Sequence, residues 1–129
     1  MTALAMTTLV VPDYDEAIAF FREAFGFALD EDTDLGRGKR WVVMSGAQGS
    51  KLLLARAANE RQRAAIGNQT GGRVGWFVET GDFAADHARI KAAGARFTEG
   101  PREEPYGTVA ALEDPWGNRW DLIGNRKAA

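Results

Sequence analysis

The same order of predicted elements occurs twice along these 129 residues, and this repetition constrains the fold more than any other feature. In each half a strand is followed by a helix and then by three further strands. The segments FREAFGFAL at 21–29 and IKAAGARFT at 90–98 share a helix end, a glycine and a strand start. We therefore interpret the chain as an internal duplication of one βαβββ module.

The first half carries clear start and stop signals. A strand is predicted over residues 3–11, which are rich in Val, Leu and Thr and are followed by Pro12, a residue without a backbone donor. Asp13 is placed to cap a helix over 14–25, and Gly26 is placed to end it. Three short strands separated by glycine-containing turns are predicted next, at 27–33, 40–45 and 51–55.

The second half repeats these signals. A strand is predicted at 73–79, and Asp82 is placed to cap a helix that runs to residue 93 and ends at Gly94. The turn sequence DPWGN at 114–118 has the residue types that a tight turn requires. Three strands around this turn complete the module, and they are predicted at 96–99, 107–113 and 119–123.

The segment between the halves differs from both of them. Residues 58–71 are rich in Arg, Gln and Asn and end at Gly71, which is followed by a second glycine, so we interpret them as a linker that could hold one helical turn. The chain is thus predicted to be a single domain over 1–129, made of two βαβββ repeats at 1–57 and 72–124. The last residues, 125–129, are expected to form a frayed tail.

Composition removes several classes of function. Because the chain has no cysteine, it has no disulfide, no thiolate metal site and no cysteine nucleophile. A net charge of -2 and a pI near 5.4 do not favour nucleic-acid binding, which needs clustered Lys and Arg. The first residues have neither a basic start nor a long apolar run. We expect a cytoplasmic protein with no nucleic-acid or membrane partner.

Three segments carry a family resemblance. In order along the chain they are LVVPDYDEAIAFFREAFGF at 9–27, GRVGWFVETGDFAADHARIKAAGARF at 72–97 and PYGTVAALEDPWGNRWDLI at 105–123. Together they resemble the glyoxalase, bleomycin resistance protein and extradiol dioxygenase superfamily, also called vicinal oxygen chelate. The resemblance implies an α+β fold like that of dihydroxybiphenyl dioxygenase, in which two βαβββ modules form a curled mixed sheet around a small-molecule pocket. It also implies a homodimer.

The metal site of this family is not matched by the residues present. The resemblance implies a divalent ion held by His, Gln or Glu at four strand positions, which correspond here to Met6, Leu53, Arg73 and Asp121. Of these, only Asp121 can ligate such an ion. The single histidine, His87, lies in the predicted second helix, away from all four positions. We therefore expect no metal ion and no other cofactor.

The resemblance, combined with strand alternation, suggests what lines the pocket instead. The concave side of the curled sheet, which surrounds the pocket, is predicted to carry Arg73, Phe77 and Asp121. The neighbours of Asp121 in its strand are predicted to face the core. Arg73 and Asp121 are predicted to pair, either as a structural ion pair or so that Arg73 can hold a carboxylate or enolate of a ligand. Further candidates to hold a planar or anionic ligand are Arg40, Trp41 and Tyr106.

Three functions remain open at this point. The favoured prediction is a metal-free pocket that binds or converts a small organic ligand. An anion is one option for this ligand. The second is a metal-dependent lyase or dioxygenase whose ligands have been displaced. The third is a binding protein that sequesters a drug without chemistry. The sequence leaves open whether the chain is an enzyme, because ancestry does not fix chemistry.

Overall fold

The computed structural model describes residues 1–125, which form two compact units of the same construction. Unit 1 is Met1–Ile66, and unit 2 begins at Gly67. The prediction of one domain with a linker at 58–71 stays a prediction. The frayed tail expected at the end of the chain lies, from residue 126 onward, outside the described residues.

Unit 1 is a four-stranded mixed sheet with helix α1 packed on it. The strand order is β1-β4-β3-β2, in which β1 and β4 are parallel and the other neighbours are antiparallel. A short helix, α2, follows the last strand and occupies the segment expected to hold one helical turn. The elements are β1 Thr7–Val11, α1 Tyr14–Phe25, β2 Ala28–Gly36, β3 Lys39–Ser45, β4 Lys51–Arg56 and α2 Glu60–Ala65.

Unit 2 repeats this architecture. Its strand order is β5-β8-β7-β6, again with a parallel first pair and antiparallel neighbours elsewhere. The elements are β5 Trp76–Thr80, α3 Phe83–Ala92, β6 Arg96–Glu104, β7 Gly107–Glu113 and β8 Arg119–Asn125. The two mixed sheets with their helices confirm the α+β class and the two βαβββ modules.

Helix α1 begins and ends where its capping residues predict. The Asp13 carboxylate accepts a hydrogen bond from the Glu16 N–H at 2.9 Å, and Gly26 closes the helix with a left-handed φ of 69°. Its apolar side buries Ile18 and Phe21 in the core of unit 1. The described helices, α1, α2 and α3, all lack the length and apolar character needed to cross a membrane.

Four strand boundaries differ from the predictions by three residues or more, and one of them is the end of β2 at Gly36 rather than at residue 33. Strand β1 begins at Thr7 rather than at residue 3, and β5 begins at Trp76 rather than at Arg73. The late start of β5 has a local cause, because the Arg73 N–H bonds back to the Thr70 carbonyl in a turn. Strand β6 continues to Glu104 instead of stopping at residue 99, because a register shift carries the chain past its Gly-Pro step.

A buried polar network surrounds the turn between β7 and β8. The Asp114 carboxylate accepts two hydrogen bonds from Asn118, one from the Trp116 N–H and one from the Trp120 indole, at 2.9 to 3.0 Å. The Asn118 side-chain oxygen accepts from the Gly67 N–H at 2.8 Å and from the Gln69 amide at 2.9 Å. The predicted turn is thus confirmed, and it also fixes the start of unit 2.

Burial of this carboxylate has an electrostatic consequence. Only 4% of Asp114 is exposed, and loss of solvent raises the pKa of its carboxyl although its hydrogen bonds act in the opposite direction. Burial therefore disfavours the ionised carboxylate, while the four hydrogen bonds that it accepts satisfy its oxygens and partly offset this cost.

Removing this carboxylate tests the network. We expect Asp114→Ala to lower the free energy of unfolding by about 2–4 kcal/mol, because several buried donors lose their acceptor at once. The matched control is Asp13→Ala, which removes one exposed cap bond to Glu16 and should cost about 1 kcal/mol. Urea unfolding followed by circular dichroism measures both. Equal losses in the two variants would contradict this role of Asp114.

Candidate functional site

Unit 2 contains a recess of about 310 Å³ on one face of its sheet. We call it the Asp121 recess. Strands β6, β7 and β8 supply most of its wall. The lining includes Thr98, Glu99, Arg102, Ala111, Arg119 and Asp121. Because neighbouring strands supply them, their positions depend on strand register rather than on a flexible loop.

Side-chain alternation along β8 separates the recess from the core. Trp120 and Leu122 are each 2% exposed and pack in the core of unit 2. Asp121, which lies between them, faces the opposite side. It pairs in register with Phe77 of β5 and with Ala111 of β7, so these three residues form one row across the sheet. The predicted alternation along β8 is therefore confirmed.

Within residues 1–125, Asp121 is a buried acid without a hydrogen-bond or ion-pair partner. It is 8% exposed, and among residues 1–125 no side chain or backbone group forms a hydrogen bond or ion pair with its carboxylate. Its oxygens are accessible from the recess, because no fully enclosed side-chain oxygen lacks a partner in the described part of the chain. Loss of solvent raises the pKa of Asp121, and of the two charges acting on it, Arg102 lowers the pKa and Glu99 raises it.

Arg102 is the cation that acts on Asp121, and the sequence analysis missed it. Its guanidinium donates to Glu104 at 2.9 Å and to Glu99 at 3.2 Å. The bond to Glu104 is the main cause of its raised pKa, and the side chain of Tyr106 adds to the effect. The missed signal is the run of three charged residues at 102–104, which follows a Gly-Pro step of the kind that usually ends a strand.

The predicted pair of Arg73 and Asp121 is wrong. Arg73 lies in the bend before β5 and is exposed, and none of the ion pairs within residues 1–125 includes it. The physical reason is the backbone turn at Thr70, which keeps this residue out of the sheet. A role for Arg73 in contacting a ligand stays a prediction.

Arg40 lies in unit 1 and is held by two carboxylates. It donates to Asp32 at 2.7 and 3.0 Å and to Asp15 at 2.9 Å, and its guanidinium carbon lies 5.0 Å from the centroid of the Tyr14 ring. The bond to Asp32 is the largest cause of the raised pKa of Arg40. These contacts tie β2 and β3 to the start of α1.

The remaining candidates occupy three different environments. Trp41 follows Arg40 in β3 and so points to the opposite face of that sheet, where its indole donates to Glu31 at 3.3 Å. Phe77 is 61% exposed in the row that contains Asp121, and Tyr106 is 55% exposed in the turn between β6 and β7. The structure thus brings Phe77 to Asp121 and Tyr106 to Arg102, and it separates Arg40 from Trp41. Their contacts with a ligand stay predictions.

The donors needed for a family-type metal site do not converge. Within residues 1–125 no group of three or more His, Asp or Glu side chains is arranged to hold an ion. Met6 and Leu53 supply no hard ligand, and the cation of Arg73 opposes an ion at its position. His87 stacks on Phe97 with ring centroids 3.7 Å apart, so it is a helix-face residue in contact with β6.

The sequence of this chain is similar to a known protein family and to a bacterial protein. The family model described as Glyoxalase/Bleomycin resistance protein/Dioxygenase superfamily matches residues 3–122. A protein of Shewanella frigidimarina (strain NCIMB 400), described as uncharacterized, is 51% identical over 118 residues, which cover 89% of this chain and 87% of the relative.

Two solved structures show the likeness in three dimensions. TnmS3, an antibiotic binding protein from Streptomyces sp. CB03234, is 27% identical with a TM-score of 0.67, covering 98% of this chain and 99% of its own. A mutant of the fosfomycin resistance protein FosX from Listeria monocytogenes, complexed with Mn(II), is 18% identical with a TM-score of 0.70. That match covers 98% of this chain and 92% of FosX, and at this identity it shows the fold alone.

The unpartnered carboxylate gives a pH prediction. Its pKa in the folded protein lies above the unfolded value, so its ionised form destabilises the fold at pH 7, and this cost disappears as the pH falls below both values. Asp121→Asn is therefore expected to raise the free energy of unfolding at pH 7, with a gain that shrinks toward pH 4. Urea unfolding at several pH values measures it, with the exposed acid change Glu79→Gln as the control. A gain that is independent of pH would contradict the assignment.

Proposed function

Because the chain belongs to the Glyoxalase/Bleomycin resistance protein/Dioxygenase superfamily, we propose that it binds a small organic molecule in the Asp121 recess without a metal ion. The observation that carries this proposal is the unpartnered, buried carboxylate in a recess of about 310 Å³. Pockets of this size, with a few polar groups that converge on the ligand, are typical of small-molecule sites.

The surroundings of Asp121 supply apolar contact area as well. Phe77 exposes most of its ring beside the acid, and Ala111 leaves room on the other side. An aromatic or aliphatic ligand body can pack on the Phe77 ring while a polar group reaches the carboxylate. The antibiotic binding function of TnmS3 supports the same kind of ligand for this chain.

Two alternatives remain distinct from this proposal. A metal-dependent lyase or dioxygenase is favoured only by Asp121, the single carboxylate at a family ligand position. A protein that sequesters a drug differs from one that converts its ligand only in turnover, which product analysis measures. An anionic ligand is not part of the proposal, because Arg73 does not line the recess and Arg40 lies in unit 1, where it is paired with Asp32 and Asp15. A homodimer in the cytoplasm stays a prediction.

Blocking the recess tests the binding site. We choose three aromatic probes of equal size that differ in charge: 1-naphthylmethylamine, 1-naphthalenemethanol and 1-naphthoate. At least one of them is expected to bind the wild-type protein in the presence of EDTA. Ala111→Phe should weaken that binding about tenfold or more, since the new ring occupies the recess. Isothermal titration and amide chemical shifts near Asp121 measure the effect.

The matched control is Ala85→Phe. Ala85 is exposed on α3, so the same substitution there adds a ring without changing the recess. Binding that is equally weak in both variants, or unchanged in both, would contradict the proposed site. Unfolding of the two variants by urea checks that each remains folded.

Metal analysis tests the second alternative. Protein purified without chelator is expected to contain well under one divalent ion per chain, because the described residues offer no converging set of ligands. Elemental analysis by plasma mass spectrometry measures the content. One ion per chain that resists dialysis, and that is lost in Asp121→Asn, would instead favour a metal-dependent enzyme.

A further inference from the structure

Resting on the proposed function, we propose that the Asp121 recess selects ligands that carry a positively charged amine or amidine group. The cationic group would pair with the Asp121 carboxylate while the apolar body of the ligand packs beside it. This specifies the chemical class of the ligand, which the family resemblance leaves open, and it differs from the anionic ligand that the sequence offered as one option.

The arginine side chains in and next to the recess are already hydrogen-bonded within the protein. Each of these guanidinium groups has an acceptor: Arg96 donates to Glu113, Arg102 to Glu99 and Glu104, and Arg119 to the Gly72 carbonyl. Asp121 has no such partner among residues 1–125. Among the described residues of the recess, the one charged group without a hydrogen-bond partner is therefore negative.

The balance of charge points the same way. Within residues 96–121, four carboxylates lie in or beside the recess, those of Glu99, Glu104, Glu113 and Asp121, against the three guanidinium groups. An anion that enters must come close to Glu99 and Asp121, whereas a cation is attracted by both. Arg102 does not cancel this preference, because two of these carboxylates already bind it.

Burial makes the interaction with a cation favourable. Asp121 has lost most of its water in the free protein, so part of the cost of removing solvent has been met before the ligand arrives. A ligand ammonium group then supplies a charge-assisted hydrogen bond that the protein does not provide. A neutral hydroxyl forms a weaker hydrogen bond with the Asp121 carboxylate, and a ligand carboxylate forms none.

Phe77 adds a second feature suited to such ligands. Its ring is 61% exposed in the row next to Asp121. Aromatic faces attract cations and also stack with aromatic bodies, so a ligand with an aminomethyl group on a ring matches both residues.

The three naphthyl probes test the charge preference directly. In EDTA-treated wild-type protein we expect 1-naphthylmethylamine to bind about tenfold tighter than 1-naphthalenemethanol, with 1-naphthoate weakest. Asp121→Asn should remove the advantage of the amine and leave the affinity for the alcohol nearly unchanged. Glu79→Gln, which removes an exposed carboxylate outside the lining, should keep the wild-type order. Isothermal titration gives all affinities.

A second variant keeps the test independent of how well Asp121→Asn folds. Arg102→Gln removes the competing cation, so it should tighten binding of the amine severalfold and change the affinity for the alcohol much less. Weaker amine binding in Arg102→Gln would overturn the inference. So would an amine that binds wild type no tighter than the alcohol, or one that keeps its advantage in Asp121→Asn.

The proposed function fails in a different way. If none of the three probes binds wild type, or if Ala111→Phe leaves the bound probe unaffected, the recess is not a ligand site and the inference falls with it. If a probe binds there but the amine is not preferred, only the charge preference is overturned.

Discussion

The alternation of side chains along β8 is the constraint on which the site depends. Trp120 and Leu122 must face the core, and this forces Asp121 between them onto the other face of the sheet. The Trp120 indole is also hydrogen-bonded to Asp114, so the register of β8 is fixed at its first residues. Burial of the Asp121 carboxylate costs free energy, but the packing of its two apolar neighbours in the core holds it in this position.

Local signals in the sequence predicted the elements well. The ends of α1 follow from Asp13 and Gly26, and the turn before β8 follows from its Asp, Gly and Asn residues, because each of these acts within a few residues of its own position. The order of elements, which is the same in both halves, was predicted because the start and stop signals of each element are local in the sequence. The buried network that joins Asn118 to Gly67 was not foreseen, since it links positions far apart in the chain.

The candidate site was predicted only in part. Asp121 and Phe77 were assigned to one face by the family resemblance together with strand alternation, which depends on one strand at a time. The cation beside Asp121 was misassigned because it depends on where two strands begin and end. A backbone bond to Thr70 keeps Arg73 out of β5, and a register shift lets β6 continue to Arg102. Neither event has a strong local signature in the sequence.

The two sides of the recess differ in how firmly their backbones are held. Strands β7 and β8 pair without interruption from Gly107 to Glu113, whereas the pairing of β6 with β7 shifts register twice, on either side of Glu99. An interrupted ladder leaves backbone groups unpaired and bends the strand locally. For the proposed ligand site we therefore expect the β6 wall and its Arg102 side chain to adjust to ligands of different size, while the floor at Asp121 keeps its shape.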